Sequence, residues 1–164
     1  MRFRILVFLL LLAQSVLGES LQDGFYAVVR KEAVNGPAYA LQQSQSRLGY
    51  DPTFLGDGED PLNVVVDRTG FVPLSLKEAP SKRPDTTERT QFWLGVSLTD
   101  EAAQQFERFT RDNLGGTVAI VVGGKVVTMH GIKAVIKGGQ IQISRCGDNG
   151  CQVLFRELKD NIEE

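Results

Sequence analysis

The strongest constraint on the fold is the stretch TVAIVVGGKVVTMHG, in which two runs of β-branched residues flank Gly123 and Gly124. A type I′ turn needs positive φ at both central residues, and glycine adopts that conformation at little steric cost. We therefore predict that residues 118–122 pair with residues 125–129. This hairpin indicates a sheet that is largely antiparallel.

Four other segments have the composition or the alternation of strands. Residues 24–30 (GFYAVVR) and 63–68 (NVVVDR) combine aromatic and β-branched side chains. Residues 91–98 (QFWLGVSL) and 140–144 (QIQIS) alternate apolar with other residues. In residues 91–98 the apolar positions that share one predicted face are Phe92, Leu94, Val96 and Leu98.

A helix is predicted from about residue 100 to residue 114. Thr99 suits the N-cap, and acidic residues in the first turn complement the helix dipole. Gly115 and Gly116 are expected to end the helix. Apolar residues fall on one side of it: Ala102, Ala103, Phe106, Phe109 and Leu114.

The tail, residues 152–162, has the apolar spacing of a second helix, with Leu154, Leu158 and Ile162 on one side. The expected fold is therefore α+β. It would contain one largely antiparallel sheet of about five or six strands, with two main helices packed on it.

Two polar segments interrupt this pattern. Residues 35–61 are rich in Gly, Pro, Gln and Asp, so we expect a loop-rich surface segment, with one short helix over residues 38–47. Residues 78–90 form a second polar segment, where Pro80 and Pro84 exclude a regular helix.

The first 18 residues have the pattern of a cleaved secretory signal peptide. Arg2 and Arg4 precede an apolar run from Ile5 to Ala13, which is shorter than the roughly 20 residues that a membrane span needs. We therefore expect a single extracytoplasmic domain over residues 19–164, located in a bacterial periplasm or secreted. No stable membrane insertion is expected after cleavage.

The charge balance argues against some classes of partner. Without Arg2 and Arg4, 16 basic and 20 acidic residues remain, a net charge of −4. Because the sequence also has no run of basic residues, binding to nucleic acid or to an anionic membrane surface is not expected.

The only two cysteines, Cys146 and Cys151, flank a short Gly-Asp-Asn-Gly segment. A close pair in an oxidising compartment is usually a disulfide, and this one would join the last strand to the tail helix. The alternatives are a redox dithiol, although that pair is more often spaced Cys-x-x-Cys, and part of a metal site, for which His130 is the single other soft ligand.

The sequence offers little catalytic chemistry. GGKVV differs from a phosphate-binding loop, because Ala119 stands at a required glycine and Val126 at a required Ser or Thr. His130 has no Ser-x-Gly or carboxylate pattern beside it that would form a triad. The acidic residues 51, 57, 59 and 60 lack the spacing of a calcium loop and are expected to be solvated. We therefore expect a protein that is not an enzyme and has no metal or cofactor site.

The sequence gives more support to binding of a partner than to catalysis. Trp93, the sole tryptophan, is out of phase with the apolar face of its strand, so it should lie on the opposite face of the sheet. There it would be covered by residues 35–61 or would contact a partner. An exposed sheet edge that accepts an extended peptide is a second possible mode. The candidate partner-binding residues are Trp93, Lys125, Met129 and His130.

From Leu98 to Ser144 the sequence resembles the head part of the first periplasmic domain of SecD, a membrane component of bacterial protein export. In the predicted domain organisation, the part that resembles this family spans about residues 91–164. The residues that carry it are Leu98, Thr99, Ala102, Phe106, Asn113, Gly115, Ala119, Ile120, Val121, Gly124, Lys125, Val126, Gly138, Gly139, Gln140 and Ile141.

The sequence also departs from that family's pattern. Gly123-Gly124 stands where the family has Asp-Gly, and Met129-His130 stands where it has Ala-Pro. Full SecD has transmembrane helices that use a proton gradient, and nothing in this sequence corresponds to them. The resemblance implies a module that binds exported or unfolded polypeptide and assists export. The alternative is an accessory or inhibitor-like protein that binds one folded periplasmic partner.

Overall fold

The structure, a computed structural model, describes residues 21–50, 60–84, 92–146, 154–156 and 158–160. The predicted signal peptide lies outside these residues. The named elements of the described part are β1 (Gly24–Ala33), β2 (Gln45–Gly49), β3 (Leu62–Pro73), β4 (Ser81–Pro84), β5 (Phe92–Ser97), α1 (Asp100–Asp112), β6 (Thr117–Val122), β7 (Lys125–Gly131) and β8 (Gln140–Cys146).

The strands form two sheets, so the prediction of a single sheet of five or six strands was wrong. One sheet has the order β2-β3-β1-β6-β7, and the other has the order β4-β5-β8. Every pairing between these strands is antiparallel, as predicted. β5 pairs with β8 across the intervening helix and hairpin, and alternation within a strand does not reveal so distant a partner.

The two outer strands of the five-stranded sheet approach each other. Tyr50, directly after β2, forms an isolated parallel bridge with Val126 of β7. The sheet therefore curves so far that its edges meet at one point, as happens when a twisted sheet begins to close.

The predicted hairpin of β6 and β7 is confirmed. Gly123 has φ 58° and Gly124 has φ 76°, so both adopt the conformation that a type I′ turn needs. The Asp23 carboxylate accepts a hydrogen bond from the Gly123 N–H at 2.8 Å. The turn is thereby tied to the beginning of β1.

Helix α1 begins where the sequence predicts. The Thr99 hydroxyl oxygen accepts a hydrogen bond from the Ala102 N–H at 3.4 Å. The helix ends at Asp112, two residues earlier than predicted, and Leu114 is exposed. The physical reason is the cap at Asn113, whose backbone N–H and side-chain Nδ2 both donate to the Phe109 carbonyl.

The prediction of two main helices was also wrong. Besides α1, the helical residues that the structure describes are 154–156 and 158–160. Leu154 and Leu158 are buried, as the predicted spacing requires. The described part of the tail therefore contributes a small helical segment to the core rather than a second main helix.

The predicted short helix over residues 38–47 is absent, because residues 45–49 form β2 and residues 37–42 have no regular structure. The carbonyl oxygens of Tyr39 and Ala40 accept hydrogen bonds from arginine side chains. Those groups would be acceptors in a helix, so pairing with distant residues overrides the local helix propensity.

The five-stranded sheet has a core on each of its faces. Phe25 points toward α1 and the three-stranded sheet, where it lies 4.6 Å from Phe106 between ring centroids. Tyr26, its neighbour in sequence, points into the other cluster and stacks on Phe71 at 5.2 Å. Because successive side chains of a strand point to opposite faces, β1 contributes residues to both cores.

Candidate functional site

The outer face of the three-stranded sheet carries a shallow cavity of about 620 Å³, which we call the Trp93 trough. Leu94 and Val96 of β5 are buried in the core, so the residues that alternate with them point outward. The residues that line the trough are Glu78, Ser81, Arg83, Trp93, Gly95, Ser97, Gln140, Ile141 and Gln142.

The centre of the trough is a glycine. Gly95 pairs with Ser81 of β4 on one side and with Gln142 of β8 on the other. A Cβ atom at this position would lie 2.7 Å from the Ser81 Oγ. The absence of a side chain therefore leaves a depression between Trp93 and Ser97.

One end of the trough is polar and ordered by hydrogen bonds. The Ser97 Oγ donates to the Glu78 carboxylate at 2.6 Å and lies 3.2 Å from the Gln140 Oε1. A hydroxyl group has a single proton, so it can donate to only one of these oxygens, and the shorter distance favours the carboxylate. Ser97 itself is buried, which fixes the position of this end.

The other end combines an aromatic ring with a cation. Trp93 is half-buried and pairs across the sheet with Arg83, an exposed residue of β4. Arg83 and Glu78 thus place opposite charges in the same trough. On the β8 side of the trough, the amide groups of Gln140 and Gln142 add neutral donors and acceptors.

This set of groups combines an apolar surface with hydrogen-bond donors and acceptors. The trough provides an aromatic surface, two amides, two hydroxyls and one charge of each sign. Among the described residues that line it, none is a histidine, cysteine or lysine. An uncharged chain with regularly spaced donors and acceptors would match these groups, with an apolar group placed against Trp93.

A second cavity, of about 410 Å³, lies between α1 and β3. It has an apolar side at Phe71 and Phe109, and Arg108, Asp67 and Asp112 also line it. The Asp67 carboxylate is already bound by the Thr69 N–H and hydroxyl. The groups of this cavity thus have mixed charge and no single recognisable ligand chemistry.

The four predicted partner-binding residues do not form one site. Trp93 lies in the trough on the three-stranded sheet, whereas Lys125, Met129 and His130 belong to β7 of the other sheet. Lys125 is exposed beside the hairpin turn. Met129 packs against the cluster that contains Tyr26, so its side chain is partly buried.

His130 is half-buried at an outer strand. Burial lowers the pKa of its imidazole below the ordinary value. Its Nε2 lies 3.1 Å from the Thr128 Oγ1, and both side chains project from the same face of β7. The described surroundings thus favour a neutral imidazole.

Trp93 was predicted either to be covered by residues 35–61 or to contact a partner. None of the described lining residues of the trough comes from that segment, of which residues 51–59 lie outside the described part. Residues 35–50 pack along β1 and β3. Trp93 is flanked by β4 and β8 and is half-buried.

Two predicted features, the cysteine pair and the acidic cluster, lie partly outside the described residues. The backbone of Cys146 ends β8, but its side chain and Cys151 lie outside the described residues, and so do acidic residues 51, 57 and 59. Asp60 is exposed.

Among the described residues, no group of three or more His, Cys, Asp or Glu side chains could hold a metal ion. The same part of the chain has no helix that could span a membrane.

Most residues of the trough were not predicted from the sequence. Gln140 and Gln142 could have been found, because they alternate with buried Ile141 and Ile143. Glu78 and Arg83 could not, because they belong to a polar segment whose strand β4 is recognisable only through its pairing with β5.

Comparison with known proteins agrees with the resemblance noted from the sequence. A family model for the SecDF P1 head subdomain matches residues 59–149, more than half of the chain. The protein translocase subunit SecDF of Thermus thermophilus is 42% identical over 50 residues. That match covers 30% of this chain and 7% of the relative, so this chain corresponds to only a small part of that protein.

Two solved structures are also similar. A crystal structure of SecDF in a super-membrane-facing form is 27% identical, with a TM-score of 0.41, and the match covers 52% of this chain and 12% of that one. Another structure, of SecDF as a membrane component that enhances protein export, is 19% identical, with a TM-score of 0.43 and coverage of 84% and 61%. On the strength of the family match, the chain belongs to the SecDF P1 head subdomain family.

Proposed function

We propose that this protein is a non-enzymatic, extracytoplasmic module that binds extended polypeptide segments in the Trp93 trough and thereby assists protein export. The single observation that carries this proposal is the composition of the trough. All the described residues that line it lie between positions 78 and 142. They therefore fall inside the segment that matches the SecDF P1 head subdomain.

The chemistry of the trough suits a peptide backbone. Each residue of an extended chain offers one N–H and one C=O, and Gln140, Gln142 and Ser81 can pair with such groups. Trp93 would accept an apolar side chain. Because these contacts involve the backbone and one apolar group, they would tolerate many sequences, as an export module requires.

The size of the trough sets the length of the segment. From Trp93 to Ser97 the strand advances four residues, about 13 Å at the rise of a β-strand. From β4 to β8 the sheet spans two strand spacings, about 10 Å. The trough would therefore hold about four residues of an extended chain.

An extracytoplasmic location also gives the cysteine pair a structural role. In an oxidising compartment Cys146 and Cys151 would form a disulfide after β8. Alkylation and intact mass of protein purified without reductant check this part of the proposal. Two modified thiols would contradict it.

The sole tryptophan makes binding directly measurable. We would titrate the protein with a permanently unfolded polypeptide, and separately with its folded form, and follow Trp93 fluorescence. A saturable change with the unfolded form alone is expected. A change caused only by one folded protein would favour the alternative of a dedicated accessory or inhibitor-like protein.

A matched pair of variants locates the binding. Gln142→Ala removes an exposed glutamine from the trough, whereas Gln104→Ala removes an exposed glutamine from α1. Loss of one hydrogen bond of about 1 kcal/mol should weaken binding by about fivefold for Gln142→Ala and leave Gln104→Ala unchanged. Equal affinity in the two variants, or no fluorescence change with any polypeptide, would overturn the proposal.

A further inference from the structure

The two described sheets have four edge strands, and β8 differs from the other three. β2 and β7 are the edges of the five-stranded sheet, and β4 and β8 are the edges of the three-stranded sheet. An edge strand presents backbone groups that can pair with another chain. Proteins usually protect such edges with charged residues, with proline or by keeping the strand very short.

Three of these edges have such protection. β4 is only four residues long and ends at Pro84. β2 contains Arg47, and β7 begins with Lys125. By contrast, residues 140–144 of β8, QIQIS, contain no charged residue and no proline. Among the described strands, β8 therefore has the edge that is most open to strand pairing.

The pairing of β8 with β5 directs the main chain of two glutamines away from the sheet. The Leu98 N–H donates to the Gly139 carbonyl at 3.0 Å, so these opposed residues are a hydrogen-bonded pair. Hydrogen-bonded and non-hydrogen-bonded pairs alternate along an antiparallel ladder. Gln140 and Gln142 occupy the alternate, non-bonded positions of this register. Their backbone N–H and C=O groups therefore point to the outer edge of β8.

A contact on the other side of β5 agrees with this phase of the ladder. The Ser97 carbonyl, opposite Gln140, accepts a hydrogen bond at 2.8 Å from the Lys77 N–H, which belongs to the segment before β4. The Ser97 carbonyl thus points away from β8. Among the described residues, no strand pairs with the outer edge of β8. This edge presents two N–H and two C=O groups from alternate residues, as one side of a strand does.

We propose that a segment of polypeptide pairs with this edge as a fourth strand beside β8, an inference that rests on the proposed binding of polypeptide at the Trp93 trough. The side chains of Gln140 and Gln142 line the trough, so the edge and the trough are continuous. Neighbouring strands lie about 4.8 Å apart, so the outward side chains of the segment would lie beside these two glutamines.

Pairing through the main chain makes recognition largely independent of sequence. The edge offers N–H and C=O groups, which every residue except proline can match with both of its own. One side-chain preference remains. The segment residue opposite Ile141 would point to the core face of the sheet, where Ile141 is buried, so an apolar residue is favoured there. The partner is thus an extended segment that has no proline at the paired positions.

Residue-resolved amide hydrogen exchange tests this pairing in the intact protein, with and without a reduced, carboxymethylated polypeptide that cannot refold. In the free protein the Gln140 and Gln142 amides should exchange quickly. At about 90% saturation, followed by Trp93 fluorescence in the same sample, both amides should exchange about tenfold more slowly, because they exchange only from the unbound fraction. The Ile141 amide, which is bonded to β5, should stay slow in both samples.

The two readouts separate two kinds of failure. Saturable fluorescence without slower exchange at Gln140 and Gln142 would overturn strand pairing and leave binding on the face of the trough intact. No saturable fluorescence change with any unfolded polypeptide would overturn the proposed function, and strand pairing with it.

A matched pair of substitutions separates the main chain from the side chain. Gln142→Ala and Gln142→Pro both remove the glutamine side chain, but only proline also removes the outward N–H. Proline is tolerated at edge positions whose N–H faces solvent, and thermal unfolding establishes that each variant is folded. Gln142→Pro should bind polypeptide at least about fivefold more weakly than Gln142→Ala, the effect of one further lost hydrogen bond. Equal affinity of the two folded variants would contradict strand pairing.

Sedimentation of the protein without polypeptide examines a second copy of the chain as the partner. A protein that stays monomeric is expected. Dimers that disappear in Gln142→Pro but persist in Gln142→Ala would mean that β8 pairs with β8 of another copy, and they would contradict a polypeptide segment as its partner. The exchange measurement needs neither variant, so it decides the question even where Gln142→Pro does not fold.

Discussion

Two regions of the molecule are held by different forces. In the helix and hairpin region, residues 92–131, apolar side chains of α1, β5 and β6 are buried in a shared core. In the loop between β1 and β2, residues 34–44, the backbone is held by arginine side chains that bind carbonyl oxygens of the loop and Glu32. The first region is stabilised by burial of apolar surface, and the second is stabilised by a few hydrogen bonds and ion pairs.

The comparison shows which contacts can be seen in a sequence. Burial of α1 depends on the spacing of apolar residues along one element, which periodicity reveals. The loop depends on groups from β1, β2 and β3, which no local pattern connects. We therefore expect that substitutions in the helix and hairpin region lower the stability of the whole molecule. Substitutions that affect the loop should change the loop alone.

The largest effect is expected from Phe106→Ala. The ring is buried between Phe25, at 4.6 Å, and Phe109, at 5.9 Å between centroids. Removing it leaves a cavity in the core shared by the two sheets, so the free energy of unfolding should fall by about 3–5 kcal/mol. Denaturant unfolding measures this loss.

An exposed residue of the same region provides the control. Leu114→Ala, just beyond α1, removes a side chain that is mostly in solvent, so stability should change little. If Phe106→Ala were also nearly neutral, burial would not be what holds the helix and hairpin region.

Much of the first region could be predicted from the sequence. The N-cap at Thr99, the buried face of α1 and the Gly123-Gly124 turn are all local features, and the structure confirms them. The division into two sheets could not be predicted, because β5 finds its partner β8 more than forty residues away. β2 was mistaken for part of a helix because its pairing with β3 overrides Ala, Leu and Gln propensities.

In the candidate site, too, local features could be predicted and long-range ones could not. The outward direction of Trp93 could be predicted from alternation on its own strand. The groups around it come from three strands and from Glu78, which precedes β4, and the order of these strands becomes known only with the fold. Lys125, Met129 and His130 were grouped with Trp93 although they belong to a different sheet.

An intermediate effect is expected from Gly123→Ala. Nothing crowds this position, but its φ of 58° is costly for a residue with a side chain. The strain should lower the free energy of unfolding by about 1–2 kcal/mol, as denaturant unfolding can show. Gly131→Ala is the matched control, because that glycine has open space and no positive φ. Similar losses in both variants would mean that backbone conformation is not the cause.

The smallest global effect, and the sharpest test of the comparison, is expected from Glu32→Gln. The hydrogen bond from Arg47 is the main cause that holds the pKa of Glu32 below its ordinary value, burial opposes it, and the hydrogen bond from Arg30 reinforces it. The stabilisation is therefore fully present above the ordinary pKa of glutamate, about 4.3, and is lost as the pH falls through the lowered value.

Hydrogen–deuterium exchange over residues 34–44 follows this loss. In the unmodified protein the protection of the loop should decrease with acid below about pH 4.3, whereas in Glu32→Gln it should be low throughout and independent of that titration. Glu107→Gln breaks a solvent-exposed pair with Arg111 on α1 and should leave the loop unchanged. If Glu32→Gln instead raised exchange in α1 as much as in the loop, the two regions would unfold as one unit, and the directed contacts of the loop would be part of the global core.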